Sequence, residues 1–280
     1  MPATSTRWPR SSPAGTRPPS PWWAPPRRSS SSRRRRRAER GRLCRAGARR
    51  SGWHPGGTPA DDPALTYSRY LALDELLRAQ RPLSDEHDEL LFIIVHQVYE
   101  LWFKQLLHEL THLQDRLEAG DTAHALHTLK RILTILKVVV TQIDVLETMT
   151  PRQFISFRAR LESSSGFQSV QFRQLEAIVG PALFASFTEY LEGQGYENAA
   201  GDAQGAVLAA YRDDGEPAQI AERLVDLDEG LQEWRYRHVK MVERTIGDRP
   251  GTGGSTGVEY LRSTLFRPAF PDLWAIRSRL

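Results

Sequence analysis

From Ala64 onward, apolar residues recur at spacings of three and four, the mark of helices that each bury one stripe. Ser84, between Pro82 and a run of acidic residues, is placed to cap a helix from about Asp85 to Glu118. Its apolar positions include Leu90, Leu91, Ile94, Val98, Leu101 and Leu110. Asp121 caps a second long helix that runs to Met149. Thr150 followed by Pro151 starts a third, and Gly166, Gly180 and Pro181 punctuate those after it. Pro217 opens a last long helix that Gly247 closes. Within it Leu227, Leu231, Trp234, His238 and Met241 are spaced four, three, four and three, so His238 lies on the buried stripe. No segment alternates apolar and polar residues with the period of two that a strand requires. The pattern predicts an all-α fold, a bundle of long antiparallel helices.

Composition divides the chain in two. The 38 basic residues include 15 arginines within positions 1–57, where the only acidic residue is Glu39, so the remainder is net acidic. That segment also holds nine of the 18 prolines and the runs SSSS and RRRRR. It buries too little apolar surface to offset its ordering entropy and is expected to be disordered. RRRRR could hold nucleic acid or an anionic surface by charge alone, or the segment is an unselected extension from a misassigned start. Positions 58–280 form the expected functional domain. No stretch approaches the roughly 20 apolar residues of a membrane span, and no apolar signal-peptide region is present. The single cysteine, Cys44, lies in the tail, which excludes disulfides, thiolate metal sites and iron–sulfur clusters from the domain. A reducing, cytoplasmic location is expected.

Several patterns carry candidate chemistry. His108, Glu109 and His112 spell the HExxH zinc pattern, but no third ligand follows at a suitable spacing. GTGGSTG, Gly251 to Gly257, lacks both the lysine of a phosphate-binding loop and the strand that should precede a nucleotide-binding turn. It remains a flexible backbone whose Thr252, Ser255 and Thr256 hydroxyls can close on a small polar group. His96 shares a helix face with Phe92, Tyr99 and Phe103, where a lone histidine is more often a satisfied core residue than a catalyst. Arg158, four residues after Phe154, is either a snorkelling side chain or a buried cation awaiting an anion.

Four blocks in order resemble the tryptophan 2,3-dioxygenase family: LTYSRYLALDELLRAQRPLS, HDELLFIIVHQVYELWFKQLLHEL, VLETMTPRQFISFRARLESSSGFQSVQFRQLE and LVDLDEGLQEWRYRHVKMVERTIGDRPGTGGSTGVEYL. The resemblance spans nearly all of Ala64 to Leu280. It implies a haem-dependent enzyme that inserts both atoms of dioxygen into the indole ring of L-tryptophan. The product would be N-formyl-L-kynurenine, the first step of tryptophan degradation by the kynurenine pathway. By the same resemblance His238 is the axial ligand of one haem b per subunit. His96 is catalytic and accepts the indole N–H, within a substrate-binding run Phe92, Ile93, Ile94, Val95 and His96. Phe154 and Arg158 meet the substrate carboxyl end, Thr252 its ammonium, and Ser165 lies near dioxygen. Tyr67 and Tyr70 reach a neighbouring subunit's pocket in a homotetramer built as a dimer of dimers. Two departures stand out: Phe154 where the family often has Tyr, and a shortened segment over 177–223. They keep open an oxygenase of a substituted tryptophan, and a haem-binding sensor without turnover is a separate alternative.

Overall fold

A computed structural model of the chain describes residues 65–197, 202–252 and 258–280. The arginine-rich segment 1–57 lies outside the described residues, as do Ser255 and Thr256 of the glycine-rich loop. Among the described residues every regular element is helical. Two single turns, α1 (Tyr67–Tyr70) and α2 (Leu73–Leu76), precede the long helices α3 (His87–Glu118) and α4 (Thr122–Glu147). The shorter α5 (Pro151–Arg158), α6 (Val170–Ala177), α7 (Leu183–Gly193) and α8 (Ala203–Asp213) lead to the third long helix, α9 (Glu216–Ile246), followed by α10 (Val258–Thr264) and α11 (Pro271–Ala275).

The three long helices hold the core. Only Ala119, Gly120 and Asp121 separate α3 from α4, so the two fold back as an antiparallel pair. The Tyr99 hydroxyl donates to the Val139 carbonyl at 2.9 Å and the Gln142 amide to that of Val95 at 2.9 Å, which fixes their register. α9 lies against α4 and runs in the same direction, Gly230 beside Leu136 and Arg237 reaching Asp144 and Glu147 further along. A Cβ on Gly230 would come within 2.7 Å of Leu136 Cδ2, so glycine is what lets these helices approach. α9 is antiparallel to α3, with Trp234 edge-on to Phe103.

Local sequence explains most boundaries. Asp121 caps α4 by accepting from the His124 amide, and Thr150 with Gln153 forms a complete capping box ahead of Pro151. Ser84 does not cap α3. Glu86 occupies that position without a side-chain bond, because the Ser84 hydroxyl donates to Glu89 at 2.5 Å. The buried Glu89 carboxylate also accepts the Leu83 and Ser84 amides, each at 2.8 Å. Burial raises its pKa, but these hydrogen bonds and Arg160 outweigh it and hold the carboxyl below its ordinary value.

The buried stripe of α3 runs through Val95, Tyr99, Phe103, Leu106, Leu110, Leu113 and Leu117. Of the apolar positions expected from the pattern only Leu110 belongs to it, while Leu90, Ile94 and Leu101 are exposed. The helix is apolar on several sides, so spacing alone does not select the inward face. For the same reason it is long and apolar enough to cross a membrane by length and composition, a property not foreseen from the sequence. Here it packs against α4, α6 and α7.

The C-terminal segment is pinned by one carboxylate. Asp228 on α9 is fully buried and accepts from Gln232 Nε2 at 3.0 Å, the Phe270 amide at 3.2 Å and Trp274 Nε1 at 2.8 Å. Asp228→Ala leaves three donors stranded near α11 and is expected to cost about 3 kcal/mol, read as a lower urea midpoint. A midpoint within about 0.5 kcal/mol of the parent would show that this carboxylate does not carry the attachment.

Candidate active site

The site is assembled where α3, α5, α9 and the loop after α9 meet. On α3, Phe92 and His96 are one turn apart and their ring centroids lie 4.1 Å from each other. Phe92 also meets Phe154 at 5.7 Å and Phe157 at 5.6 Å, both from α5, so two helices build one aromatic wall. The ring Nδ1 of His96 is 2.7 Å from the Phe92 carbonyl. A carbonyl only accepts, so Nδ1 carries the proton and Nε2 is left as an acceptor. The His96 ring is partly open to solvent, yet protein on its remaining sides depresses its pKa through burial, against the Phe92 hydrogen bond and Glu100, which raise it.

His238 stands on α9, half-buried among the rings that line the bundle. Burial is the main cause that brings its pKa down to about 4, and the positive form of His96 adds to the effect. The two imidazoles are therefore near enough to sense each other, and both are neutral at pH 7. Trp234, one turn earlier, lies parallel to the His238 ring with an interplanar angle of 4° and centroids 5.2 Å apart.

Arg158 ends α5. Its Nη2 donates to the Pro250 carbonyl at 2.5 Å, while its buried Nε has no hydrogen-bond partner. Thr252 donates to the Ser164 carbonyl, which ties the start of the glycine-rich loop to the turn after α5. Arg158, Thr252, Glu162 and Arg249 line a cavity of about 370 Å³. A larger one, about 690 Å³, lies alongside against the end of α9, and neither cavity is lined by His96 or His238. Glu162 has φ 46° and ψ −116°, a strained backbone for a residue with a side chain, at the rim of the smaller cavity.

Of the site residues expected from sequence, Phe92, His96, Phe154 and Arg158 come together with the described part of the loop. Their neighbours within the run do not share that face. Val95 turns into the core and Ile94 outward, since successive helical residues differ by about 100° in direction; Ile93 is half-buried between them. Phe154 is buried, with 8% of its surface exposed, and offers only a ring. Ser165 is half-buried in the turn that receives Thr252. Tyr67 and Tyr70 are 75% and 73% exposed on α1. Glu162, Arg249 and the Pro250 carbonyl were not anticipated, since each acts through loop geometry that no residue spacing records. The HExxH pattern dissolves: His108 and His112 are exposed, whereas Glu109 is buried and bound to Arg131 and Gln105.

Among the described residues no three His, Cys, Asp or Glu side chains are grouped to hold a metal ion. A lone neutral imidazole, with a second one near enough to sense its charge, suits an iron whose other ligands come from a porphyrin. In donor chemistry, then, the residues fit a haem.

The depressed pKa of His238 has a measurable consequence. Its unfolded form takes up a proton near pH 6.5 and the folded form only near pH 4, so the contribution to stability falls as pH falls through that window. Between pH 7 and pH 5 the haem-free protein is expected to lose about 2 kcal/mol more than its His238→Gln variant in chemical denaturation. Equal losses in the two proteins would show that His238 is not held neutral.

A sequence profile of tryptophan 2,3-dioxygenase matches residues 54–190 and 190–280. The tryptophan 2,3-dioxygenase of Anaeromyxobacter dehalogenans is 60% identical over 260 residues, covering 79% of this chain and 98% of its own. That of Herpetosiphon aurantiacus is 51% identical over 258 residues, 78% of this chain and 99% of its own. That of Pseudomonas aeruginosa PAO1 is 39% identical over 260 residues, 78% and 90%. Coverage of 79% of 280 residues draws on about 221 of them, so about 39 of the 260 aligned positions in the first relative have no counterpart here. The join of the two profile matches at residue 190 places this shortening in the region where the sequence had suggested it. The chain belongs to the tryptophan 2,3-dioxygenase family.

Proposed function

We propose that the chain is a haem-dependent dioxygenase that inserts both oxygen atoms of dioxygen into the indole ring of L-tryptophan, forming N-formyl-L-kynurenine. This reaction opens tryptophan degradation by the kynurenine pathway. The observation that carries the substrate reading is Arg158: a guanidinium with an unpartnered, buried Nε, on a cavity that Thr252 also lines. A half-buried guanidinium with donors to spare calls for an anion, and a planar carboxylate satisfies two of them at once.

His238 would hold the haem iron, one haem b per subunit. When bound, haem supplies the redox chemistry with dioxygen, and no outside reductant is consumed. The chain's own residues bind and aim the substrate. Arg158 takes the carboxylate and Thr252, with its loop, the ammonium, so the zwitterion is fixed at both ends. The Phe92 and Phe154 rings meet the indole faces and keep water away. His96, whose Nδ1 proton is committed to the Phe92 carbonyl, presents Nε2 to the indole N–H. Ser165 would stand near dioxygen. Tyr67 and Tyr70, exposed on α1, would complete a neighbouring subunit's pocket in a homotetramer arranged as a dimer of dimers. We place the enzyme in the cytoplasm, in keeping with the single Cys44.

The test is turnover by the reduced haem protein with L-tryptophan in air, followed through N-formylkynurenine. With labelled dioxygen the product should carry two labelled atoms, and a product carrying one would replace this reading with a monooxygenase. Arg158→Ala is expected to raise the KM for tryptophan about 10- to 100-fold, the loss of a charge-assisted hydrogen-bond pair. Binding of tryptamine, which has no carboxylate, should barely change. Equal loss for both ligands would remove Arg158 from carboxylate recognition.

A further inference from the structure

An imidazole that ligates iron must present one ring plane, yet the last torsion of a histidine side chain is broad and roughly two-fold. Among the described residues no hydrogen bond to the His238 ring fixes that torsion. What lies against it is the indole of Trp234, parallel within 4° at 5.2 Å between centroids, the offset-stacked geometry that aromatic pairs favour. Trp234 is in turn clamped. Phe103 of α3 meets it edge-on at 85° and 6.4 Å, and Phe172 of α6 packs on it at 5.1 Å.

Trp234 Nε1 is buried beside the Tyr99 hydroxyl, whose own proton goes to the Val139 carbonyl while its oxygen stays free to accept from the indole. Phe103 follows His96 by seven residues, two turns along the same face of α3. The helix that carries the substrate-facing histidine thus also grips the plate behind the opposite one.

We infer that Trp234 is a positioning residue for His238, its indole face setting the plane of the imidazole through a clamp made by Phe103 and Phe172. The inference rests on the reading of His238 as the haem ligand. It assigns the work to the ring plane, so phenylalanine should serve in place of tryptophan and leucine should not.

The experiment compares the haem-loaded parent with Trp234→Phe, Trp234→Leu, Phe172→Leu and His238→Ala. The readouts are the rate of haem transfer to an apomyoglobin acceptor and the iron–histidine stretching band of the ferrous protein. Trp234→Leu is expected to lose haem about 10-fold faster, the usual scale for removing support behind a metal ligand, with a shifted or broadened band. Trp234→Phe should stay within about two-fold of the parent. Phe172→Leu, which loosens the clamp without touching α9, should change the band in the same direction as Trp234→Leu, so the inference stays testable even where the leucine variant at 234 folds poorly. Parent-like behaviour of both leucine variants overturns the inference, as does Trp234→Phe behaving like Trp234→Leu, which would transfer the role to the N–H. If His238→Ala retains haem as firmly as the parent, the ligand assignment itself falls. Loss of haem from His238→Ala alone leaves that assignment standing and removes only the role of Trp234.

Discussion

Two neutral imidazoles on antiparallel helices, His96 on α3 and His238 on α9, lie near enough for the charge of one to oppose that of the other. Burial is the larger cause that brings His238 to a pKa of about 4, and the positive form of His96 adds to it. A neutral imidazole can ligate a metal or accept a proton, and a charged one can do neither. The condition depends on α3 and α9 staying at one separation and one register. A small axial slip of either helix would bring a different residue into the cleft.

The ties that prevent such a slip sit at the level of the site. Arg237, adjacent to His238, reaches Asp144 at 2.5 Å and Glu147 at 3.3 Å, which fixes α9 against α4. Tyr99 and Gln142 fix α3 against α4 at the next turns from His96. Burial pushes the Tyr99 hydroxyl up to about 12, with Trp234 and Arg237 opposing and Asp144 reinforcing it, so it keeps its proton and its bond to Val139. Among the described residues none of the expected site residues stands on α4, yet both histidine-bearing helices are measured against it. Gly230 sets how near α9 can come. Exposed ion pairs elsewhere add little.

Much of this was legible in the sequence, for identifiable reasons. Caps and breakers are local, so Asp121, Thr150 with Pro151, and Gly247 declare their helices without tertiary information. Ser84 misleads because the carboxylate that captures it, Glu89, is itself buried by contacts that no local rule contains. The inward face of α3 is hidden for a related reason: Leu90, Ile94 and Leu101 are as apolar as the residues that pack, and only the neighbouring helices choose between them. At the site, the four-residue spacings of Phe92 with His96 and Phe154 with Arg158 survive intact because each pair lies on one helix. The strap from Pro250 to Arg158 and from Thr252 to Ser164 joins residues about 90 apart, and it is invisible to periodicity.

The shortened middle of the chain shows which parts of the fold answer to the site. Relative to the Anaeromyxobacter enzyme about 39 positions are gone, yet the three long helices and the rings between them are in place. In the same region α6 and α7 are joined through a kink at Val179 and Gly180, ahead of Pro181. Gly180 has φ 138° and ψ −126°, a conformation closed to residues with a Cβ, so the reversal there depends on glycine. Immediately beyond it Leu183, Phe187 and Leu191 bury one face of α7, and Gln114 of α3 donates to Ser186 at 3.2 Å. α7 thereby covers the far end of α3, well along the helix from His96. What the segment must supply is an apolar lid for that end of α3, and a three-residue stripe on one helix suffices, whereas the cleft needs both ends of its register held.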